Sequence, residues 1–292
     1  MSESVIADFV GKFNSEVAAR SDPINGRIVL SQKRLVLIAN QDDKLTIPLD
    51  SIFDVAIGQV PDDLGDFFNS TVTVAFEKGG RRLAAAVEAD DEKIEKFGTL
   101  LFKAILNGTE TTVTRRARVG GRVTDESFVT ARLFLTQGSV EFRREDSTFT
   151  VDLETVSDFG RTEREIAGST RPVLEVRHME GGKAVTTLAA LPSPRKMAVL
   201  GRYLRREYSG LMEELKDVDL TRDKKEVLVA LYSTGGLDGM PLASILGVDA
   251  AQVSMLMQDL EADNLVQASD DGPSLTPKGK VVASRHLEDV NA

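Results

Sequence analysis

The amino-acid sequence predicts an α+β protein with two similar β-rich modules in tandem, followed by a smaller helical module. Two observations predict this organisation. A repeat with a period of about 104 residues carries short stretches of alternating apolar and polar residues, a pattern typical of half-buried strands. The last segment, roughly seventy residues, changes to the three- and four-residue apolar spacing of helices. We place the three modules at 1–110, 111–216 and 217–292.

The repeat consists of four matches that follow one another in the same order. The longest joins Leu45-Thr-Ile-Pro-Leu-Asp-Ser-Ile-Phe-Asp-Val to Phe149-Thr-Val-Asp-Leu-Glu-Thr-Val-Ser-Asp-Phe. Before it, Arg27-Ile-Val-Leu-Ser-Gln matches Arg132-Leu-Phe-Leu-Thr-Gln. Two further matches lie downstream, in the next strand and in the helix after it. One such match arises easily by chance, but four in order indicate a duplicated module.

The apolar pattern of each copy predicts six or seven antiparallel strands, followed by one helix that closes the module. The glycine pairs of Glu77-Lys-Gly-Gly and Glu180-Gly-Gly predict tight hairpins, because glycine readily adopts positive φ. Helical spacing of apolar residues predicts helices over 92–106 and 195–215. This order is typical of a small pleckstrin-homology-like or GRAM-like split β-barrel with a C-terminal helix. In the first copy the alternating residues are Ile28, Leu30, Leu35, Leu37, Leu45, Ile47 and Leu49.

The N-terminal segment predicts an amphipathic leading helix rather than an export signal. It lacks the basic start and the apolar stretch of a signal peptide. No apolar run in the sequence approaches the roughly 18 residues that a membrane-spanning helix needs. We therefore expect a soluble, cytoplasmic protein. The predicted helix covers 2–20, with Val5, Ile6, Phe9, Phe13 and Val17 along one side.

The composition excludes several kinds of chemistry. The chain has no cysteine, so disulfides, thiolate catalysis and cysteine-based zinc sites are absent. The net charge is −10, which disfavours general binding to phosphate backbones. Acidic residues number 46, against 22 arginines and 14 lysines. This balance fits a salt-adapted cytoplasm, and an ordinary acidic protein is the alternative.

The C-terminal module predicts the element order of a winged helix-turn-helix. Thr221 is a candidate N-cap of a first helix, 242–246 forms a short second helix, and Asp249 caps a third. A two-stranded wing follows, with its turn at Ser269-Asp-Asp-Gly-Pro, and a last helix ends the chain.

Charge opposes a DNA-binding function for this module. A recognition helix needs basic or amide side chains toward bases and phosphates. The helix that begins after Asp249 has no lysine or arginine and carries Asp259 and Glu261. Lys278 and Lys280, which we place in the wing, are the candidate phosphate contacts. Protein docking is favoured, with DNA binding and a structural or dimerising role as alternatives.

No catalytic or metal-binding constellation is visible in the sequence, and we expect no cofactor. The two histidines, His178 and His286, lie in different modules without metal-ligand spacing. Ser233-Thr-Gly-Gly-Leu-Asp-Gly is rich in glycine but lacks the lysine of a phosphate-binding loop. Adjacent carboxylates such as Asp62-Asp63 lie in predicted turns. We therefore predict a binding protein rather than an enzyme.

Two features are candidate partner-binding surfaces. The helix over 195–215 carries three arginines at positions i, i+3 and i+4, which share one face and suit an acidic or phosphorylated partner. The alternative is a helix whose arginines form ion pairs with nearby glutamates. The 59–70 segment has no counterpart in the second copy and offers an aromatic anchor, or a cover for the barrel mouth. The predicted partner-binding residues are Arg195, Lys196, Arg202, Arg205, Arg206, Phe67 and Phe68.

Five segments spread over the whole chain carry a family resemblance. They are Asp22-Pro-Ile-Asn-Gly-Arg-Ile-Val-Leu-Ser, Ser51-Ile-Phe-Asp-Val-Ala-Ile-Gly-Gln-Val-Pro, Leu191-Pro-Ser-Pro-Arg-Lys-Met, Val199-Leu-Gly-Arg-Tyr-Leu-Arg-Arg-Glu-Tyr and Leu287-Glu-Asp-Val-Asn-Ala. Together they resemble CheF, the archaeal taxis adaptor family, in its haloarchaeal form. They contain no catalytic signature, so the resemblance implies no catalytic residue.

The resemblance implies an adaptor that connects chemotaxis signalling to the archaellum motor. Its expected partners are the response regulator CheY, other Che proteins and accessory proteins of the motor that control rotational switching. We expect binding that depends on the phosphorylation of CheY. Nucleic acid and membrane insertion are not expected, and a homodimer is one further option. A winged-helix transcription regulator is the alternative function, followed by a lipid-binding module.

Overall fold

The computed structural model describes residues 3–18, 20–119, 122–123, 127–136, 138–180, 183–213, 220–234, 242–269 and 272–291. These residues form an α+β protein with two seven-stranded antiparallel sheets, six α-helices and a separate two-stranded hairpin. The predicted class and the predicted number of strands are confirmed. No helix in the described ranges has both the length and the apolar composition that crossing a bilayer requires.

The first sheet pairs its strands in the order β4-β3-β2-β1-β7-β6-β5. Helix α1 (Asp91–Leu106) follows the sheet and buries Phe97, whose ring meets Phe9 edge-on at 5.3 Å between centroids. Asp90 caps this helix by accepting the Lys93 N–H at 3.0 Å. The strands are β1 (Val5–Ser15), β2 (Ile24–Ser31), β3 (Arg34–Ile38), β4 (Lys44–Pro48), β5 (Ile52–Ile57), β6 (Thr71–Lys78) and β7 (Arg81–Glu88).

The second sheet has the same order, β12-β11-β10-β8-β15-β14-β13, with the short strand β9 paired to β8 outside this path. Helix α2 (Pro194–Glu213) follows the sheet. The strands are β8 (Thr109–Val119), β9 (Arg122–Val123), β10 (Val129–Leu135), β11 (Ser139–Arg143), β12 (Thr148–Asp152), β13 (Val156–Ile166), β14 (Ser169–Glu180) and β15 (Lys183–Ala190).

Strand pairing confirms the repeat residue by residue. Ile52 lies opposite Phe76 in the first sheet, and their sequence counterparts Val156 and His178 lie opposite each other in the second. Each ladder has a register irregularity at this same point. The hairpin of the first copy turns through Gly79-Gly80, both with positive φ as predicted, and its counterpart at 181–182 lies outside the described residues.

The pairing paths are open rather than closed. Strands β4 and β5 end the first path, β12 and β13 end the second, and no ladder in the described residues joins either pair of end strands. The described strands thus form no closed barrel, and the pleckstrin-homology-like or GRAM-like split barrel stays a prediction.

The N-terminal segment is a strand, so the predicted leading helix is wrong. Strand β1 pairs with β2 along one edge and with β7 along the other. Its inward positions alternate but include two small residues, Ala7 and Gly11, which hide the period of two in the sequence. A Cβ on Gly11 would lie 2.5 Å from the Glu88 carbonyl oxygen. The apolar spacing of this segment also fits a helix. Pairing with two distant strands therefore determines its conformation.

The C-terminal elements follow in the predicted order, with one correction. Thr221 accepts the Lys224 N–H at 3.4 Å and Asp249 accepts the Gln252 N–H at 2.7 Å, as expected for N-caps. Residues 235–241, which include most of the glycine-rich stretch, lie outside the described residues. The elements are α3 (Arg222–Thr234), α4 (Leu242–Leu246), α5 (Ala250–Ala262), β16 (Val266–Ser269), β17 (Gly272–Leu275) and α6 (Pro277–Asn291).

Lys278 and Lys280 lie in helix α6, so their predicted place in the wing is wrong. Thr276 accepts the Gly279 N–H at 3.2 Å and Pro277 occupies the first helical position, so the helix begins directly after β17. Lys280 donates to Glu154 at 3.0 Å. Lys280, one of the two lysines predicted to contact phosphate, thus already forms an ion pair within the chain.

The chain divides into two compact units. Unit one contains Met1–Glu110, Arg132–Leu135 and Leu191–Tyr203. Unit two contains Thr111–Ala131, Thr136–Ala190 and Leu204–Ala292. Helix α2 contributes its first part to unit one and its second part to unit two. The division into three modules remains a prediction.

Replacing Gly26 by alanine is expected to lower the free energy of unfolding by about 1–3 kcal/mol. A Cβ at this position would lie 2.4 Å from the Ile38 carbonyl oxygen and 2.5 Å from the Phe13 ring. Urea denaturation followed by circular dichroism measures the loss. Gly160→Ala in β13 is the control, because no atom lies within 4 Å of its added Cβ. Equal losses in the two variants would contradict the steric explanation.

His178 is expected to make the protein less stable as the pH falls. Its side chain is 3% exposed, and burial together with the charge of Arg115 lowers its pKa from 6.5 to about 4. Between these values the unfolded chain binds a proton that the folded chain does not, so the free energy of unfolding decreases as pH falls, by up to about 1.4 kcal/mol per pH unit.

His178→Phe, which copies Phe76 of the first sheet, should remove this part of the pH dependence. Urea titrations of both proteins between the two pKa values give the difference in slope. Parallel curves would show that His178 does not titrate in the expected way.

Candidate partner-binding surfaces

The start of helix α2 fixes two predicted binding residues, Arg195 and Lys196, within unit one. Ser193 accepts the Lys196 N–H at 3.2 Å, and Pro194 follows it at the first helical position. No acidic residue lies in the first turn of α2. The two cations therefore project from a well-defined helix start.

Two of the predicted arginines are engaged in ion pairs within unit one. Arg202 donates to both carboxylate oxygens of Asp54 in β5, at 3.0 and 2.8 Å, and these hydrogen bonds raise its pKa above the usual value. Arg195 pairs with Glu77 in β6 and donates to the Asp50 carbonyl oxygen at 3.5 Å. Both arginines thus attach α2 to the first sheet.

Lys196 has a different environment. Its ammonium donates to the Thr109 hydroxyl at 2.8 Å, a neutral acceptor, and the side chain is half-buried. Burial lowers its pKa, and the nearby charge of Asp50 acts in the opposite direction. No carboxylate forms an ion pair with Lys196 in the described part of the chain.

The remaining two predicted cations belong to unit two. Arg205 is exposed on α2. Arg206 lies 3.4 Å from the Glu207 carboxylate. In the same unit Tyr208 donates to the Ser157 carbonyl oxygen at 3.0 Å and meets Phe159 edge-on, which fixes this part of α2 on β13. Of the three arginines predicted to share a face, Arg205 is the exposed one.

The two phenylalanines of the 59–70 segment have different environments. Phe67 packs on a small cluster that contains Leu64 and Ala86. Phe68 points outward and its side chain is 80% exposed, with the Lys12 ammonium 5.6 Å from the ring centroid. Phe67 is therefore part of a small apolar core, and a partner-binding role of Phe68 stays a prediction.

Glu88 holds Phe68 in this exposed position. Its carboxylate is buried and accepts the Phe68 backbone N–H at 2.7 Å and the Asn69 side-chain amide at 3.0 Å, with the Lys12 ammonium at 3.5 Å. Burial acts to raise the pKa of Glu88, but the hydrogen bonds outweigh it and the pKa lies below the usual value. Sequence reasoning missed this residue, because a glutamate at the end of a strand carries no distinguishing signal.

The described residues contain no group of three histidine, aspartate or glutamate side chains placed to hold a metal ion. Helix α5 presents Met255, which is 68% exposed, and carries no lysine or arginine. Lys224 of helix α3 is buried and donates to Asp263 at 2.8 Å. The positive charge of Lys224 is therefore paired with a carboxylate among the C-terminal helices.

Comparison with known proteins identifies the family. The model of the archaeal chemotaxis signal transduction system protein F family, CheF, matches residues 5–210. The chain belongs to the CheF family. It is 46% identical to the taxis protein CheF2 of Halobacterium salinarum over the full length of both chains. It is 27% identical to the taxis protein CheF1 of the same organism over 99% of each chain.

One solved structure with a weak likeness is the inner membrane complex sub-compartment protein 3 of Toxoplasma gondii. The match has 9% identity and a TM-score of 0.25, and it covers 42% of this chain and 88% of that protein. A score this low carries no argument about the fold. Membership of the CheF family, by contrast, places the chain among archaeal chemotaxis signalling proteins.

Glu88→Ala is expected to release the segment of this CheF protein that presents Phe68. Loss of the buried acceptor leaves the Phe68 and Asn69 donors without their partner, at a cost of about 1–3 kcal/mol in unfolding free energy. Hydrogen–deuterium exchange should become faster for peptides that cover 59–70. Asp8→Ala, which removes an exposed ion pair with Arg27 on the same sheet, should leave exchange and stability nearly unchanged. Unchanged exchange in the Glu88 variant would contradict this role.

Proposed function

We propose that this chain is a cytoplasmic, non-enzymatic adaptor of taxis signalling. It binds the response regulator CheY, more tightly in the phosphorylated form, and it binds accessory proteins of the archaellum motor to control rotational switching. The observation that carries the proposal is the family match over residues 5–210, together with similarity to two taxis proteins over the full chain. Other Che proteins are further partners in this proposal.

The proposed architecture is two pleckstrin-homology-like or GRAM-like modules followed by a winged-helix module. The identical strand order of the two sheets, each followed by a helix, supports the first assignment. The order α3, α4, α5, hairpin β16–β17 and α6 supports the second. Both assignments concern docking scaffolds, which present surfaces without any need for a catalytic group.

We place the binding of CheY on the second part of helix α2, in unit two. Arg205 is exposed there, and a guanidinium recognises carboxylate and phosphate groups through paired hydrogen bonds. Arg202 is less available, because its guanidinium already binds both oxygens of Asp54. Arg205 is an exposed cation on a chain whose net charge is −10, so it offers a local contact for a carboxylate or phosphate group of an acidic partner.

A winged-helix transcription regulator is the second candidate function, favoured by the element order of the C-terminal helices. The absence of lysine and arginine from α5 opposes it, because the phosphate backbone of DNA attracts basic surfaces.

The adaptor proposal predicts that activated CheY binds more tightly than unmodified CheY. Titration calorimetry in concentrated KCl, with CheY from the same cell before and after beryllofluoride activation, should give a difference of at least about tenfold, or about 1.4 kcal/mol. Arg205→Ala should weaken the activated complex by about threefold to tenfold.

Arg144→Ala is the matched control, because Arg144 is an exposed arginine of the same unit in the turn between β11 and β12. It should leave the affinity unchanged. No binding of either form of CheY would refute the adaptor function. In that case fluorescence anisotropy with duplex DNA would test the transcription regulator.

A further inference from the structure

Unit one contains an open groove that no step of the proposed function uses. It has a volume of about 590 Å³ and lies between the turn that follows β4, the β6–β7 hairpin and the start of α2. This volume is within the range of known binding sites, and apolar and charged residues line the groove in equal number. The apolar lining residues are Leu49, Ile52, Phe53, Pro194 and Ala198, and the charged ones are Asp50, Glu77, Arg82, Arg195 and Lys196.

Two cations of the groove have no carboxylate partner among the described residues. The Arg82 guanidinium stacks over the Phe53 ring at 5.4 Å from its centroid, and the side chain is exposed. The Lys196 ammonium donates to a hydroxyl. Arg195, in contrast, is paired with Glu77. The groove therefore combines an apolar floor with three cations and two carboxylates, and this excess of positive charge favours an occupant that is both apolar and acidic.

The 59–70 segment of the same unit has that chemistry. Phe68 is 80% exposed, and the segment also contains three exposed aspartates, Asp62, Asp63 and Asp66. A large aromatic side chain is seldom so exposed to solvent without a function. Exposed aromatic residues that are held rigidly commonly anchor protein interfaces.

The segment is also preorganised for insertion. Glu88 holds the backbone at Phe68, as described above, and Asn14 donates to the Leu64 carbonyl oxygen at 2.8 Å. Thr73 donates to the Gln59 carbonyl oxygen at 2.6 Å. A segment fixed at several points loses little conformational entropy when Phe68 enters a partner.

We propose that the occupant of the groove is a second copy of this chain, whose Phe68 inserts over the apolar floor while its neighbouring aspartates approach Arg82 and Lys196. One unit carries both an acidic segment with an exposed phenylalanine and a groove with an apolar floor and an excess of positive charge, so the two surfaces are complementary. The contact requires neither CheY nor any motor protein, so it is tested independently of the proposed function.

Sedimentation velocity of the full chain in concentrated KCl, from about 1 to about 100 µM, tests the proposal, since this range covers micromolar affinities. The wild type should associate as its concentration rises. Phe68→Ala should weaken association by at least about tenfold. Arg82→Glu and Ala198→Trp should do the same, the first by charge reversal and the second by filling the groove. All three positions are exposed, so the variants should fold. Val10→Ala is the control, since Val10 is 70% exposed on the same sheet but lies outside both surfaces.

Mixing two variants gives the sharper result. Phe68→Ala retains an intact groove, and Ala198→Trp retains an intact Phe68. Each should sediment as a monomer alone, and the equimolar mixture should form a 1:1 complex. A wild type that stays monomeric over the whole range would overturn the proposal. So would a mixture that stays monomeric, or a Phe68→Ala variant that associates like the wild type.

Discussion

Strand β1 hydrogen-bonds to β2 along one edge and to β7 along the other, and the first sheet depends on this double pairing. Without it, the strands would separate into β2–β4 on one side and β5–β7 on the other. The pairing demands close backbone approach at Gly11 and Gly26, which lie opposite each other in the β1–β2 ladder. Strand β8 has the corresponding central place in the second sheet. A duplicated module thus keeps its pairing scheme while most side chains change.

The two sheets differ where binding surfaces are expected. Between β5 and β6 the first copy inserts the 59–70 segment, whereas β13 runs into β14 through the short turn Ala167-Gly168. At the position of the buried Phe76 the second copy has His178, which is also buried and lies 3.0 Å from the Thr187 hydroxyl. The inserted segment adds exposed aromatic surface, and the histidine adds a buried titratable group whose pKa is lowered by burial. Both features occur without any change in the strand order that the two sheets share.

The cations of helix α2 differ in their contacts. In helix α2, Arg195 and Arg202 pair with carboxylates of the first sheet, so these cations stabilise the position of the helix within unit one. Arg205 of unit two is exposed, and Lys196 faces a hydroxyl. Cations that the sequence groups on one helix therefore have different environments. The CheF family membership gives these surfaces a signalling context.

The sequence by itself determined the features that depend on local geometry. The repeat, the hairpin at Gly79-Gly80, the N-caps of α3 and α5 and the element order at the C-terminus follow from side-chain periodicity and from the conformations that single residues prefer. Only the tertiary structure decided what depends on distant partners. It turned the N-terminal segment into a strand, joined Arg202 to Asp54 across 148 residues, and placed Glu88 under Phe68. No local pattern encodes such contacts, because their energy arises only when the sheets have formed.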